Sequence, residues 1–286
     1  MATTLSSLSA DLAALIADAD PRLVRIGGAD GSIASGMIWR SGLVVSAHEA
    51  LGAEEEFTIT FADGSAKPAE VVGRDPATDV VLLKAETAAF DEWRPVEIPM
   101  AGSLAVVAGR GEHSASAGLV MVSEVGPAWR SMRGGLIDAR ITLGIRLSAR
   151  TEGGAVLSPD GGLIGMAVSG PRRRALAIPA STIARAVATL SEKGYVPRGY
   201  LGVSLHPVGD GGGAIVVGLE PEGPAKRAGF LVGDVITTWG DEPVRSVAGV
   251  SNRLSAETVG QTVKLGVLRG GSPIDINVDV AERPRA

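Results

Sequence analysis

Three segments of this 286-residue chain bring together residue types suited to acyl transfer. Ser46-Ala47-His48 comes first, Asp75-Pro76-Ala77-Thr78-Asp79 second and Arg150-Thr151-Glu152-Gly153-Gly154 third. An imidazole, an orienting carboxylate and then a glycine-rich loop is one chain order in which a nucleophilic triad is built, the last loop carrying both the nucleophile and backbone N–H donors for an oxyanion. In that loop a carboxylate, Glu152, stands directly before the two glycines, and acyl transfer needs a hydroxyl or thiol that can be deprotonated. Beside His48, Glu152 is expected to form an ion pair that keeps the ring cationic and unable to act as a base. The neighbouring hydroxyls are Ser148, Thr151 and Ser158, and a one-residue shift in a tight turn takes Thr151 out of hydrogen-bond reach. His48, Asp79 and Glu152 are also an ordinary metal-ligand set, which would make a metal-dependent hydrolase. In a triad, however, the two carboxylate positions lie at opposite ring nitrogens, so no metal site is expected. His113 and His206 sit in no motif and read as loop residues.

A second constellation lies at Arg198-Gly199-Tyr200-Leu201-Gly202-Val203. Successive N–H groups in a glycine-containing turn make a nest for a carboxylate, and an adjoining strand edge can pair with an incoming peptide. Tyr200, Leu201, Gly202 and Val203, with Leu254 from a later helix, are the candidate peptide-binding residues. Leu201, Val203, Phe230, Ile236 and Leu254 read equally as core of the same domain.

The elements that must position these residues are mainly short strands. Aromatics make up only 3% of the chain, so the core is aliphatic, and 39 glycines with 16 prolines mark many turns. Strand-like runs lie at Leu23 to Ile26, Gly36 to Ile38, Leu43 to Ser46, Phe57 to Phe61, Val80 to Leu83, Ala105 to Ala108, Leu119 to Val122, Ile141 to Leu147, Ala155 to Leu157 and Leu163 to Val168, with no βαβ rhythm. An amphipathic helix is expected near the start, behind Ser6 and Ser7 as caps and ending before Pro21, and a second behind Ser181, ending near Gly194. Further strands are expected at Ile215 to Val217, Asp234 to Thr238, Val263 to Leu268 and Ile274 to Val278, with a helix over Val247 to Leu254. The organisation is thus an N-terminal helix (1–20), a β domain (21–194), a linker (195–199) and a compact second domain (200–283).

Composition narrows the function. A net charge of -5 leaves no electrostatic footprint for nucleic acid, and Arg172, Arg173 and Arg174 read as a solvated loop. The absence of cysteine removes disulfides and thiolate chemistry. No segment is long and apolar enough to span a bilayer. The opening stretch has no basic flank and is interrupted by Asp11, Asp18 and Asp20, unlike a cleavable signal, so a cytoplasmic location is expected.

In order along the chain, these motifs resemble the HtrA/Deg-like serine protease family. Gly36-Met37-Ile38 and Leu43 to His48 are similar to its strand pair entering the catalytic histidine. Val72 to Lys84 resembles its aspartate segment, Ala117 to Val120 the strand after its activation loop, and Ala177-Ile178-Pro179 the approach to its closing helix. The resemblance implies a mainly β fold, a trypsin-like pair of six-stranded antiparallel barrels with the site between them. Arg198 to Val203, Pro221 to Ala225, Ala228-Gly229-Phe230 and Gly233 to Ile236 resemble the family's C-terminal PDZ domain, a small α+β module that binds peptide tails.

Where the family has Gly-Asn-Ser-Gly-Gly this chain has Arg150 to Gly154. The resemblance makes His48 the remnant base, Asp79 the remnant orienter, Glu152 the replaced nucleophile and Arg150 a replaced oxyanion-loop glycine. It implies a pseudoprotease acting as a peptide-binding scaffold without cofactor. The alternative is a serine endopeptidase with a displaced or partner-completed nucleophile. Relatives form trimers through N-terminal segments, and the N-terminal helix here could serve that end or dock within one subunit.

Overall fold

The computed structural model describes residues 4–209 and 212–284. Residues 1–3, where the expected N-terminal helix begins, lie outside the described residues. The chain divides into two compact units, residues 1–129 with 136–196, and residues 130–135 with 197–286.

The first unit opens with α1 (Thr4–Ala19), which places Ser6 and Ser7 inside the helix rather than at its cap. A 3-10 turn at Asp20–Arg22 follows, where Pro21 stands at the second position, still within the first turn that tolerates its missing N–H. Six strands then close a barrel in the order β1-β2-β3-β6-β5-β4: β1 (Leu23–Gly27), β2 (Ile33–Arg40), β3 (Leu43–Ala47), β4 (Glu56–Thr60), β5 (Ala66–Asp75) and β6 (Val80–Ala85). Aliphatic side chains on the inward face, among them Ile26, Ile38, Val44, Ile59, Val81 and Leu83, fill its interior.

The second barrel uses β7 (Leu104–Arg110), β8 (Ala115–Gly126), β11 (Arg140–Leu143), β12 (Ala155–Leu157), β13 (Leu163–Ser169) and β14 (Ala175–Pro179), closed as β11-β14-β13-β12-β7-β8; the two-residue strands β9 (Trp129–Arg130) and β10 (Leu136–Ile137) precede β11. The strand expected to reach Leu147 stops at Leu143, where the register with β8 shifts. Helix α2 (Ala180–Lys193) closes the unit and buries Ile183, Ala186, Val187 and Leu190. Its N-cap is Pro179, not Ser181, whose hydroxyl instead bonds Asp138 at 2.5 Å. It ends at Gly194, as expected, and Gly194 adopts the left-handed conformation.

In the second unit, β15 (Gly199–Tyr200) pairs with β22 (Ala281–Glu282). The main sheet is β16 (Val203–Pro207), β17 (Ala214–Leu219), β18 (Val235–Trp239), β20 (Thr262–Arg269) and β21 (Ser272–Asp279), with β19 (Glu242–Pro243) off β18. His206 therefore lies in a strand, not a loop. The helices α3 (Pro224–Arg227) and α4 (Val247–Ser251) are short, and α4 stops before Leu254. Leu201, Phe230, Ile236, Val250 and Leu265 form the core. Asp234, with about 1% of its side chain exposed, holds Arg269 through two 2.8 Å bonds, so this buried charge is paired.

Candidate functional site

His48 follows β3 and Asp79 precedes β6, and those strands are paired with Ala47 opposite Val80. The His48 N–H donates to the Asp79 carbonyl at 3.1 Å, and the Asp79 carboxylate accepts the Glu49 N–H at 2.7 Å. Asp79 adopts a φ of 61°, a left-handed conformation that Asp tolerates better than most residues. The fold thus brings the expected base and orienter together at one end of the first barrel.

The Arg150–Gly154 loop comes from the second barrel and is tied to both. Ser35 of β2 donates its N–H to the Glu152 carbonyl at 2.8 Å and its hydroxyl to the Arg150 carbonyl at 2.7 Å. Gly153 donates to Ala167 at 2.8 Å and has φ 80°. A Cβ there would strike the Ser35 carbonyl, which is why this position is glycine.

Two features set what this loop can do. The Glu152 N–H, which a nucleophile loop would aim at an oxyanion, donates to the Ser148 carbonyl at 2.9 Å; the Thr151 N–H uses the same carbonyl at 2.9 Å. The Glu152 carboxylate accepts the Ser169 N–H at 3.1 Å. Ala167 N–H pairs with the Gly154 carbonyl along the same edge of β13, so the Glu152 side chain occupies the next donor on that edge. This corrects the expected ion pair between Glu152 and His48: among the described residues none joins them. The ring's Nδ1 instead faces the Arg74 guanidinium at 3.3 Å. His48, Asp79 and Glu152 likewise do not form a metal-ligand cluster, and no group of three such residues does so among the described residues.

Arg74 was not singled out from sequence, although it stands inside the quoted Val72 to Lys84 segment. Nothing in a strand pattern says where a long side chain ends. The Thr151 hydroxyl bonds Ser148, in keeping with a turn-stabilising role.

In the second unit, Tyr200 ends β15, Leu201 and Gly202 form the turn, and Val203 starts β16. The turn's carbonyls are engaged: Ala225 N–H donates to Leu201 and Glu220 N–H to Gly202, at 2.8 and 2.9 Å. Its Leu201 and Gly202 N–H groups take no partner among the described residues. That is the donor arrangement of an anion nest. Gly202 has φ 70°, and a Cβ there would lie 2.8 Å from Gly223 Cα. The Tyr200 phenol donates to the Glu220 carboxylate, which pushes its ionisation above the usual tyrosine range. Leu201, read from sequence equally as a peptide-binding and as a core residue, is only 1% exposed and belongs to the core. Val203 and Leu254 are partly buried against that core, as is Leu205, which alternates with Val203 on β16 and was missed.

Comparison with known proteins agrees with this division. Residues 34–166 match the trypsin-like peptidase domain and residues 199–280 the PDZ domain. The chain thus carries a trypsin-like peptidase domain match followed by a PDZ domain match. A probable periplasmic serine endoprotease, DegP-like, of Brucella suis is 28% identical over 279 residues, covering 87% of this chain and 52% of the relative. One of Bartonella henselae is 28% identical over 271 residues, covering 85% and 52%. The chain thus spans about half the length of the curated relatives it matches. Among solved structures, the HtrA-type protease AlgW with decapeptide superimposes with a TM-score of 0.75 at 21% identity, covering 96% of this chain and 99% of that one. A serine endoprotease from Yersinia pestis gives 0.75 at 22%, covering 94% and 97%. These likenesses confirm the mainly β, double-barrel-plus-PDZ fold. The HtrA/DegP-like relatives are named periplasmic, which overturns the cytoplasmic expectation drawn from the opening residues.

Proposed function

We propose that this chain is a catalytically silent HtrA/DegP-like protein that captures peptide tails through the groove beginning at Tyr200, in the periplasm like its named relatives. The observation that carries the reading is the use made of Glu152. It puts a carboxylate where a nucleophile is needed, and its N–H is already spent on Ser148. Arg150 adds a side chain where the family has glycine. His48 and Asp79 remain as a base and orienter with nothing to deprotonate. The Leu201 and Gly202 N–H groups supply the carboxylate site, Val203 the strand edge, and Leu254 part of the apolar wall. Self-association through α1, whose Leu5 is 77% and Leu8 40% exposed, goes with the same reading.

The relatives' names support a second reading, a serine endopeptidase whose hydroxyl comes from elsewhere. Fluorophosphonate labelling of the purified protein, compared with His48→Ala, separates the two. The expected result is no His48-dependent label; a labelled serine or threonine would sink the silent reading. Recovery of casein cleavage in the Arg150→Gly, Glu152→Ser double variant would show that the remaining groups still suffice.

A further inference from the structure

Three segments of the first unit carry arginines to one end of the second barrel. Ser169, the last residue of β13, pairs with Ala175, the first of β14, and the turn between them holds Arg172, Arg173 and Arg174. Leu143, the last residue of β11, also pairs with Ala175, and Arg146 stands three residues beyond it. The third segment is the Arg150–Gly154 loop, tied to the same end where the Ser169 N–H donates to the Glu152 carboxylate at 3.1 Å.

All five arginines are exposed, and none has an ion pair or a side-chain hydrogen bond among the described residues. Glu152 is the one carboxylate in residues 144–154 and 169–174, in a chain whose net charge is -5. The basic groups are thus gathered here without matching countercharge, and the excess of acid lies elsewhere. The tip of the turn also runs against its residue types. The Gly170 N–H donates to the Arg174 carbonyl at 2.7 Å, which closes the turn, and Arg172 and Arg173 take φ of 59° and 57°. Glycine enters that region freely, whereas a long side chain does so at a cost. Side chains held there cluster where a ligand is met.

We propose that this arginine end of the second barrel binds an acidic polypeptide segment through the carboxylates along it. The guanidinium fork matches a carboxylate with two parallel hydrogen bonds. The same fork takes phosphate, but a nucleic-acid duplex or an anionic bilayer extends past these three segments and would face the acidic remainder of the chain. A short segment instead stays within about 10 Å of the arginines, one screening length at about 0.1 M salt. The proposal goes beyond tail capture at Tyr200 and does not depend on whether the Glu152 loop is silent.

The test is fluorescence anisotropy of a labelled Glu-Ala repeat decapeptide with the full chain. The peptide is acetylated and amidated, so it offers no terminal carboxylate to the Leu201 and Gly202 N–H groups. At low salt it should bind where a Lys-Ala decapeptide does not, and raising the salt to about 0.5 M should weaken it about tenfold or more. Arg172→Gly with Arg173→Gly suits the backbone of the turn and should cost about tenfold in affinity, as should Arg146→Gln with Arg150→Gln. Absence of binding, equal binding of the Lys-Ala peptide, or unchanged affinity in either double variant overturns the proposal. So does displacement by a short DNA duplex or by phosphatidylglycerol vesicles at a lower phosphate concentration than the carboxylate concentration that unlabelled peptide needs, which would make a phosphate polyanion the ligand. Where a variant does not fold, the two peptides on the unaltered chain still decide. Fluorophosphonate labelling would sink the silent reading and leave this result standing.

Discussion

Two glycine-containing loops, Ser148–Gly154 in the first unit and Tyr200–Val203 in the second, have similar raw material and opposite states. Each could aim successive backbone N–H groups at an anion. In the first, the Glu152 N–H donates to the Ser148 carbonyl and the Glu152 carboxylate accepts the Ser169 N–H. In the second, the carbonyls of Leu201 and Gly202 are tied down while their N–H groups are left open. A glycine at positive φ permits both, at Gly153 and at Gly202. What differs is where each donor is spent, and an N–H already satisfied inside the protein contributes little to a ligand.

The largest effect should come from Gly153→Ala. Left-handed backbone and a clash with the Ser35 carbonyl together predict a loss of about 3 kcal/mol or more in urea unfolding. A loss below about 1 kcal/mol would show that the closed loop is looser than its bonds suggest.

Next is Ser35→Ala. The buried Ser35 hydroxyl donates to the Arg150 carbonyl and accepts the Arg110 N–H, so its removal orphans two groups at about 2 kcal/mol in total. It should also raise amide exchange at Glu152. Unchanged exchange there would mean that Ser148 alone holds the loop shut.

For the open loop, a peptide with an amidated C-terminus should bind about tenfold or more weaker than the free acid by fluorescence anisotropy, the value of a charge-assisted hydrogen bond. Equal affinity would move recognition away from Leu201 and Gly202. Glu152→Ala should leave this binding unchanged, and a change would end the independence of the two loops.

The smallest effect is a pH dependence of the second unit's frame. Arg269 beside Asp234 holds its carboxyl below the usual Asp range. The folded value being the lower one, this stabilisation is complete above the unfolded pKa of about 3.9 and is lost as pH falls through the depressed folded value. Thermal unfolding followed downward from pH 5 should therefore show a loss that Asp234→Asn lacks.

Much of the fold and part of the site are legible in the residues alone. The short aliphatic runs and Gly-rich turns mark the barrels, because alternation and turn chemistry are local. The order His48, Asp79, Glu152 marks the candidate site, and the structure does bring His48 beside Asp79. Ser6, Ser7 and Ser181 mislead as caps because a serine near a helix start can bond elsewhere, as Ser181 does to Asp138.

By itself the sequence determined that a carboxylate, Glu152, stands directly before the Gly153-Gly154 pair, and that Gly153 and Gly202 leave the backbone free to turn. Residue identity suffices for both. Only the tertiary structure decided that Glu152 reaches Ser169 rather than His48, that Arg74 meets the imidazole, and that Leu201 is core while its N–H stays open. Those outcomes depend on where strands far apart in sequence bring their side chains and donors, and the length of a side chain sets its reach without setting its partner.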